Sequence, residues 1–395
     1  MTHPDRKKAK RYDNPGRCKL FTDTVYSGES DDAGKLFDIL DKCSHMFDPA
    51  ENEFIPLIGD LHGHSSFSDG SCDPEKFYPR LKNEAKLDFA SLTDHDHGGV
   101  GRPELWMGSP SKWDKIKQLA EKYYVPGKFT TILAYERDSY PFYNNMILYF
   151  NSHNADMVRG ERDGEITERE LKDLLNRDDV ITAPHDTYYL SSGADLSHIP
   201  LELMTPFIEV ISRGDAAEYM GNPAFGEKYC CEGGFWQDAL RRGAEMGCIG
   251  GSDDHGGQGG MILDRPYPFN YPGLTGVWAK ENTVEGIFEA LKAKRTFAFM
   301  GGRVTVDFRV NGHYMGEKIS RGTDGELHIR FSVKADAPVK TVTLVKNCRN
   351  YMLFNGISSE CVIDYCQETE KDSYYIRAEL SDGRFAWCSP VWVTE

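Results

Sequence analysis

Short apolar runs recur along the middle of the chain, at residues 54–61, 89–93, 130–135, 145–150, 180–183, 207–211 and 248–251. Each is short enough for a buried strand. Between several of them the apolar spacing becomes helical. Trp113, Ile116, Ala120 and Tyr123 share one helix face, and Ile287, Ala290 and Leu291 mark a helix within 282–294. Residues 235–246 suit a further helix. Thr167-Glu168-Arg169-Glu170 is a capping box that opens a helix through Leu171, Leu174 and Leu175. Repeated strand–helix units imply a parallel sheet, and over this length a barrel.

The pattern changes at Gly301-Gly302. Beyond it lie strand-like runs at 303–310, 326–334, 339–346, 361–365, 373–380 and 385–392, with hairpin signals at Asn311-Gly312 and Asp382-Gly383. A small β-sandwich is expected there. Residues 1–53 begin polar and then place Leu36, Phe37, Leu40, Cys43 and Phe47 at helical spacing, as in a helix packing on the main domain. The expected division is therefore 1–53, 54–300 and 301–395.

A length of 395 residues with 39% hydrophobic and 12% aromatic content suits a globular protein of about two domains. The net charge of −16 disfavours nucleic acid or an anionic membrane as the main partner. Ten cysteines without a CxxC pair read as reduced thiols. No apolar h-region follows the basic N-terminus, and no apolar run has the length of a membrane span. A cytoplasmic protein acting on a small molecule is the expectation, with a homo-oligomer left open.

Metal-capable residues fall at the C-terminal ends of the strand candidates, where α/β barrels keep their functional groups. In Asp60-Leu61-His62-Gly63-His64 the two imidazoles share a strand face. The turn Ser68-Asp69-Gly70 can bring a carboxylate back toward them. Thr93-Asp94-His95-Asp96-His97, Glu136, Pro184-His185, Glu209 and Ser252-Asp253-Asp254-His255 follow or end later strands. Imidazoles and carboxylates together suit Zn²⁺, Mn²⁺ or Fe²⁺. Several such ions in one pocket acidify water and neutralise charge on the attacked group, which points to hydrolysis.

These motifs, in this order, resemble the PHP (polymerase and histidinol phosphatase) superfamily. The segments Gly273-Leu274-Thr275-Gly276-Val277-Trp278-Ala279 and Ala290-Leu291-Lys292-Ala293-Lys294-Arg295-Thr296-Phe297-Ala298, with Ala386-Trp387-Cys388-Ser389-Pro390-Val391-Trp392-Val393, look most like its carbaryl-hydrolase-like branch. The resemblance implies an α/β fold, a distorted (β/α)₇ TIM-like barrel with two or three divalent ions, joined here to the C-terminal β-sandwich. It implies that His62, His64, Glu136 and Asp253 hold one ion. Glu136 would bridge to a second ion held by His185, and Asp69, His95 and His255 would hold a third. Asp69 stands where some members have His. Where a further His or Cys is usual for the second ion, this chain has Glu209, either a ligand or a carboxylate that orients one.

Asp94 reads as orienting an imidazole in preference to binding metal. His97 is a candidate proton donor, with a solvated loop histidine as the plainer reading. Arg137 and Arg213 are candidate clamps for a phosphate or carboxylate, against the plainer reading of surface arginines. Tyr140, Tyr143, Tyr188 and Tyr189 suit a pocket lining or simple packing. Gly256-Gly257-Gln258-Gly259-Gly260 suits an anion cradle or a flexible loop. The resemblance implies a phosphoesterase. Hydrolysis of a carboxylic or carbamic ester or an amide is the alternative, and a non-catalytic metal-binding module a third reading.

Overall fold

The computed structural model describes residues 10–11, 53–96, 110–158, 165–189, 193–213, 215–225, 229–268, 270–321, 326–355, 357–364 and 368–395. The helix expected across Leu36 to Phe47 and the candidate His97 lie outside the described residues.

The strands, in chain order, begin with β1 (Lys10–Arg11), β2 (Ile55–Asp60), β3 (Phe89–Leu92), β4 (Thr130–Asp138), β5 (Asn145–Phe150) and β6 (Val180–His185). Next come β7 (Phe207–Ser212), β8 (Asp215–Ala216), β9 (Tyr229–Cys230), β10 (Gly247–Gly251), β11 (Gly273–Ala279) and β12 (Thr296–Met300). Helices α1 (Pro74–Asn83), α2 (Pro110–Tyr123), α3 (Glu168–Leu175), α4 (Trp236–Leu240) and α5 (Val284–Lys292) alternate with them. The Thr167 hydroxyl caps α3, as the capping box requires. The helix expected over 235–246 reaches only to Leu240, and Gly243 follows at φ +88°. Asp73 caps α1 and Pro74 opens it, and Phe77, Tyr78 and Leu81 are its buried face.

The fold is mixed α/β. The expected parallel sheet is found for β2–β3, β3–β4 and β7–β10. β4–β5, β5–β6, β2–β11 and β11–β12 are antiparallel. For β4–β5 the reason is chain length. β4 ends at Asp138 and β5 begins at Asn145, too short a connection for the crossover that a parallel pair needs. Side chains from β2, β3, β4, β5, β6, β7, β10 and β11 still meet in one apolar cluster, including Leu57, Phe89, Ile132, Ile147, Ile181, Phe207, Ile249 and Val277. The strands therefore curl around a shared core, and α5 closes it with Ile287, Phe288 and Leu291.

The C-terminal strands are β13 (Val304–Val310), β14 (His313–Tyr314), β15 (Lys318–Ser320), β16 (Glu326–Ala335), β17 (Val339–Lys346), β18 (Arg349–Phe354), β19 (Ser358–Asp364), β20 (Asp372–Leu380), β21 (Phe385–Cys388) and β22 (Val391–Thr394). The Asn311-Gly312 turn joins β13 to β14 with both residues at positive φ, as a tight hairpin demands. β14-β13-β16-β19 form one sheet. β15, β22, β20 and β21 join the main sheet in the order β15-β22-β20-β21-β12-β11-β2, and β17 pairs with both β20 and β18. The join is a backbone ladder in which Phe297, Ala298 and Phe299 of β12 face Cys388, Trp387 and Ala386 of β21. A buried polar knot backs it. The Glu218 carboxylate accepts from Tyr375 Oη at 2.6 Å, Arg377 Nη1 at 2.7 Å and Trp387 Nε1 at 2.8 Å.

Candidate metal centre

Two lone parallel bridges beyond the strand ends assemble the site. Gly63 pairs with Asp254, and His95 with Glu136. The first sets the loop after β2 beside the loop after β10. The second sets the loop after β3 against β4. His62, His64, Glu136 and Asp253 thereby converge from three strands, all buried. His62 Nε2 lies 3.1 Å from Glu136 Oε2 and 3.3 Å from Asp253 Oδ1. His64 Nε2 lies 3.2 and 2.9 Å from the same two oxygens. The two imidazole Nε2 atoms are 3.1 Å apart.

Four ligand-type atoms face one point, a group that can hold a metal ion. Two buried oxygens bear on the fit. Among the described residues, Glu136 Oε1 and Asp253 Oδ1 are met by imidazole nitrogens alone, His185 Nε2 at 3.3 Å and His64 Nε2 at 2.9 Å. Once those imidazoles are neutral with their lone pairs turned inward, the buried oxygens have no donor, which is costly, and a cation beside them satisfies them. His185 Nε2 is the nitrogen facing Glu136 Oε1, so the Glu136 carboxylate spans from His62 and His64 to His185.

Glu209 has a defined place. Both of its oxygens lie 3.0 Å from His62 Nδ1. A proton on Nδ1 leaves the Nε2 lone pair facing the cluster, which is how a carboxylate orients a metal-binding imidazole. This geometry serves the orienting reading of Glu209, and the ligand reading stays open beside it, because His62, His185 and Glu209 also form a group that can hold an ion. His185 Nδ1 likewise faces Asp186 Oδ1 at 3.4 Å. Asp94 corrects an expectation. Among the described residues its carboxylate takes no imidazole but accepts from Ser65 N, Ser65 Oγ, Ser68 N and Ser68 Oγ, at 2.6–3.1 Å. It shapes the loop after β2, and Ser68 Oγ in turn sits 3.4 Å from His64 Nδ1.

Burial by itself would lower the imidazole pKa values, but the surrounding carboxylates outweigh it. Glu209 and Asp253 hold His62 well above its ordinary value. Asp253 and Glu136 raise His64 to about 10, and Asp186 and Glu136 raise His185 to about 9. For Glu136 and Asp253 burial pushes upward, and the facing imidazoles hold both well below the usual carboxylate range. The cluster is built for positive charge.

A family model described as a protein of unknown function (DUF3604) matches residues 246–326. An uncharacterized protein of Chlamydia pneumoniae is 23% identical over 361 residues, covering 85% of this chain and 57% of its own length. One from Chlamydia muridarum is 25% identical over 239 residues, covering 54% of this chain and 38% of its own. The chain thus spans little more than half the length of the first of these relatives. Among solved structures, a two-domain protein containing a predicted PHP-like metal-dependent phosphoesterase from Bacteroides vulgatus is 17% identical with a TM-score of 0.43. That match covers 86% of this chain and 96% of the other.

A second, more open group lies on the solvent side. His64, Asp69 and His255 can hold an ion together, with His255 Nε2 at 3.2 Å from Asp69 Oδ2. His95 faces Asp69 Oδ2 at 3.8 Å and Glu136 Oε2 at 3.6 Å. The His64 ring is stacked between those of His95 and His255, with centroids 4.8 and 4.4 Å away.

Above these groups opens a cleft of about 690 Å³, lined by Asp69, Asp186, Tyr188, Tyr189, Arg213, Asp253, His255, Gln258, Arg265 and Tyr271 among others. Arg213 is in it, with Nε donating to Asp253 Oδ2. Arg137 is not. It is buried and donates to the Glu165 carbonyl. Tyr143 is buried and donates to the Leu203 carbonyl, and Tyr140 is exposed away from the cleft lining. In the glycine-rich loop, Gln258 N donates to Asp254 Oδ2 and the Gly256 carbonyl accepts from Arg80, so the loop is tied to protein groups. Arg265 and Tyr271 carried no warning in the residue pattern. Asp186 directly follows His185, which was its one available signal.

Proposed function

We propose that the chain is a metal-dependent hydrolase of the PHP superfamily that cleaves a phosphoester of a small molecule. The observation that carries this reading is the convergence of His62, His64, Glu136 and Asp253, with two buried carboxylate oxygens faced by imidazole nitrogens alone among the described residues. We read the curled strands of 54–300 as a strongly distorted (β/α)₇ barrel, and 301–395 as a β-sandwich unit sharing its sheet. His62, His64, Glu136 and Asp253 would hold one divalent ion, and Glu136 with His185 a second. Asp69 and His255, with His64 or His95, would hold a third.

Divalent ions so placed supply an acidified water and offset charge on the attacked group. Nitrogen and oxygen donors together suit zinc, manganese or iron. The protein's own part is positional. Glu209 fixes the His62 tautomer, Asp94 holds the loop that carries His64, and burial keeps bulk water from the inner group. The test is metal analysis of protein purified with added Zn²⁺ or Mn²⁺, followed by turnover of p-nitrophenyl phosphate, bis-p-nitrophenyl phosphate and p-nitrophenyl acetate. At least one bound equivalent and turnover of a phosphate ester are expected. Less than one equivalent, or turnover of the acetate alone, overturns the reading. His62→Ala and Asp253→Ala should each lose metal and activity together.

A further inference from the structure

Charge is distributed unevenly among the groups lining the cleft. Its carboxylates are engaged. Asp253 is held by Arg213 and faces the cluster, Asp69 meets His255, and Asp254 accepts from Gln258 N. Asp186 lies against His185 and accepts from Tyr188 Oη at 3.4 Å. The two guanidinium groups keep donors in reserve. Arg213 pairs through Nε with Asp253 and also feels the charge of Asp186, while its two terminal nitrogens donate to no acceptor among the described residues. Arg265 is exposed in the cleft wall with no side-chain acceptor among the described residues.

Backbone conformation supports a built site. Asp186, Arg213 and Asp253 end three strands at φ +51°, +49° and +46°. Left-handed backbone at a residue with a side chain is unfavourable, and it gathers at ligand-binding positions. All three of these residues line the cleft. The segment around Tyr267 to Pro272 is anchored as well. Tyr267 Oη donates to the Gly383 carbonyl at 3.0 Å, Gly301 N donates to the Pro272 carbonyl at 2.7 Å, and Arg384 lies over the Tyr271 ring. The segment bearing Arg265 and Tyr271 is thus tied to the C-terminal strands. The cleft is large enough for a ligand well beyond a single phosphoryl group.

We propose that Arg265, which lines the same cleft as Arg213, is a specificity residue for a second anionic group on the substrate, carried at the end away from the scissile bond. Resting on the phosphoesterase reading, this makes the substrate class a small organic phosphate that also bears a carboxylate or a second phosphate. Arg213, one carboxylate away from the cluster, takes an oxygen of the group under attack. Tyr189 and Tyr271 flank the organic body between them. A guanidinium is suited to both anions because its donors pair with two oxygens at once.

The experiment is calorimetric binding of phenylphosphonate and 4-carboxyphenylphosphonate, neither of which has an ester to cleave, to the Mn²⁺-loaded protein. The dianionic body should bind at least tenfold tighter than its parent. In Arg265→Gln that advantage should fall below twofold, while phenylphosphonate affinity shifts less than twofold. Arg265→Lys should keep part of the advantage. Replacing the carboxylate with a second phosphonate distinguishes which anion is preferred. Equal binding of the two probes to wild type, or an advantage that survives in Arg265→Gln, overturns the proposal. The phosphoesterase reading fails separately, if phenyl acetate is cleaved and phenyl phosphate is not. Loss of the advantage in Arg265→Gln would still establish the subsite.

Discussion

At the scale of single residues, Glu209 is the most instructive. It sits 3.0 Å from His62 Nδ1 and faces away from the point where His62, His64, Glu136 and Asp253 meet. Glu209→Ala should lower metal affinity about 10–100-fold without abolishing it, the range for removal of an orienting partner, and Glu209→Gln should lose less because its amide oxygen still accepts from Nδ1. Metal titration checks both. A pH dependence follows from the raised imidazoles. In metal-free protein His64 and His185 hold their protons up to about pH 10 and 9. Metal must displace those protons, so uptake should release them and apparent affinity should rise with pH from about 6 to 9. Stability of the metal-free form should move the other way. A folded pKa above the ordinary 6.5 gives stabilisation that is complete below that value and lost as pH rises through 9 to 10. Thermal melts should show Tm falling over that window without metal and holding with it. These candidate ligands were legible because imidazoles and acids at successive strand ends are a rare pattern. Asp94 was misjudged because adjacency to His95 in sequence says nothing of the Ser65–Ser68 loop that folds onto it.

At the scale of elements, strand positions were easier to read than strand directions. The run at 145–150 became β5 with the expected bounds. Its antiparallel pairing was decided by the brevity of the segment before it. β11 and β12 were masked because their residues stood out as a motif and their alternation went unused. Helix α1 had its signal in Asp73-Pro74 followed by Phe77, Tyr78 and Leu81, a cap and a short apolar face easily lost beside the histidines. The end of β10 yields a prediction. A Cβ on Gly251 would fall 2.4 Å from His62 Cβ and 2.7 Å from Glu209 Oε1. Both neighbours are held by the site, so neither can yield cheaply. Gly251→Ala should leave circular dichroism close to wild type and weaken metal binding by about tenfold or more, as loss of the Glu209–His62 alignment would.

At the scale of the whole molecule, the C-terminal strands are not an appendage. Glu218 is buried and holds Arg377, Tyr375 and Trp387 across the join. Removing one partner of a buried pair strands a charge, so Arg377→Met should destabilise by about 3–5 kcal/mol, read by urea denaturation as one shifted transition. The β12–β21 ladder gives the join an unequal tolerance to change. Its bonds are backbone to backbone, so they are indifferent to which side chains the two strands carry. They are sensitive to count. One residue inserted or deleted in β21 would turn Trp387 to the opposite face, away from Glu218, and bring Ala386 or Cys388 into its place. Substitutions along this seam can accumulate through descent, whereas single-residue insertions and deletions should be purged.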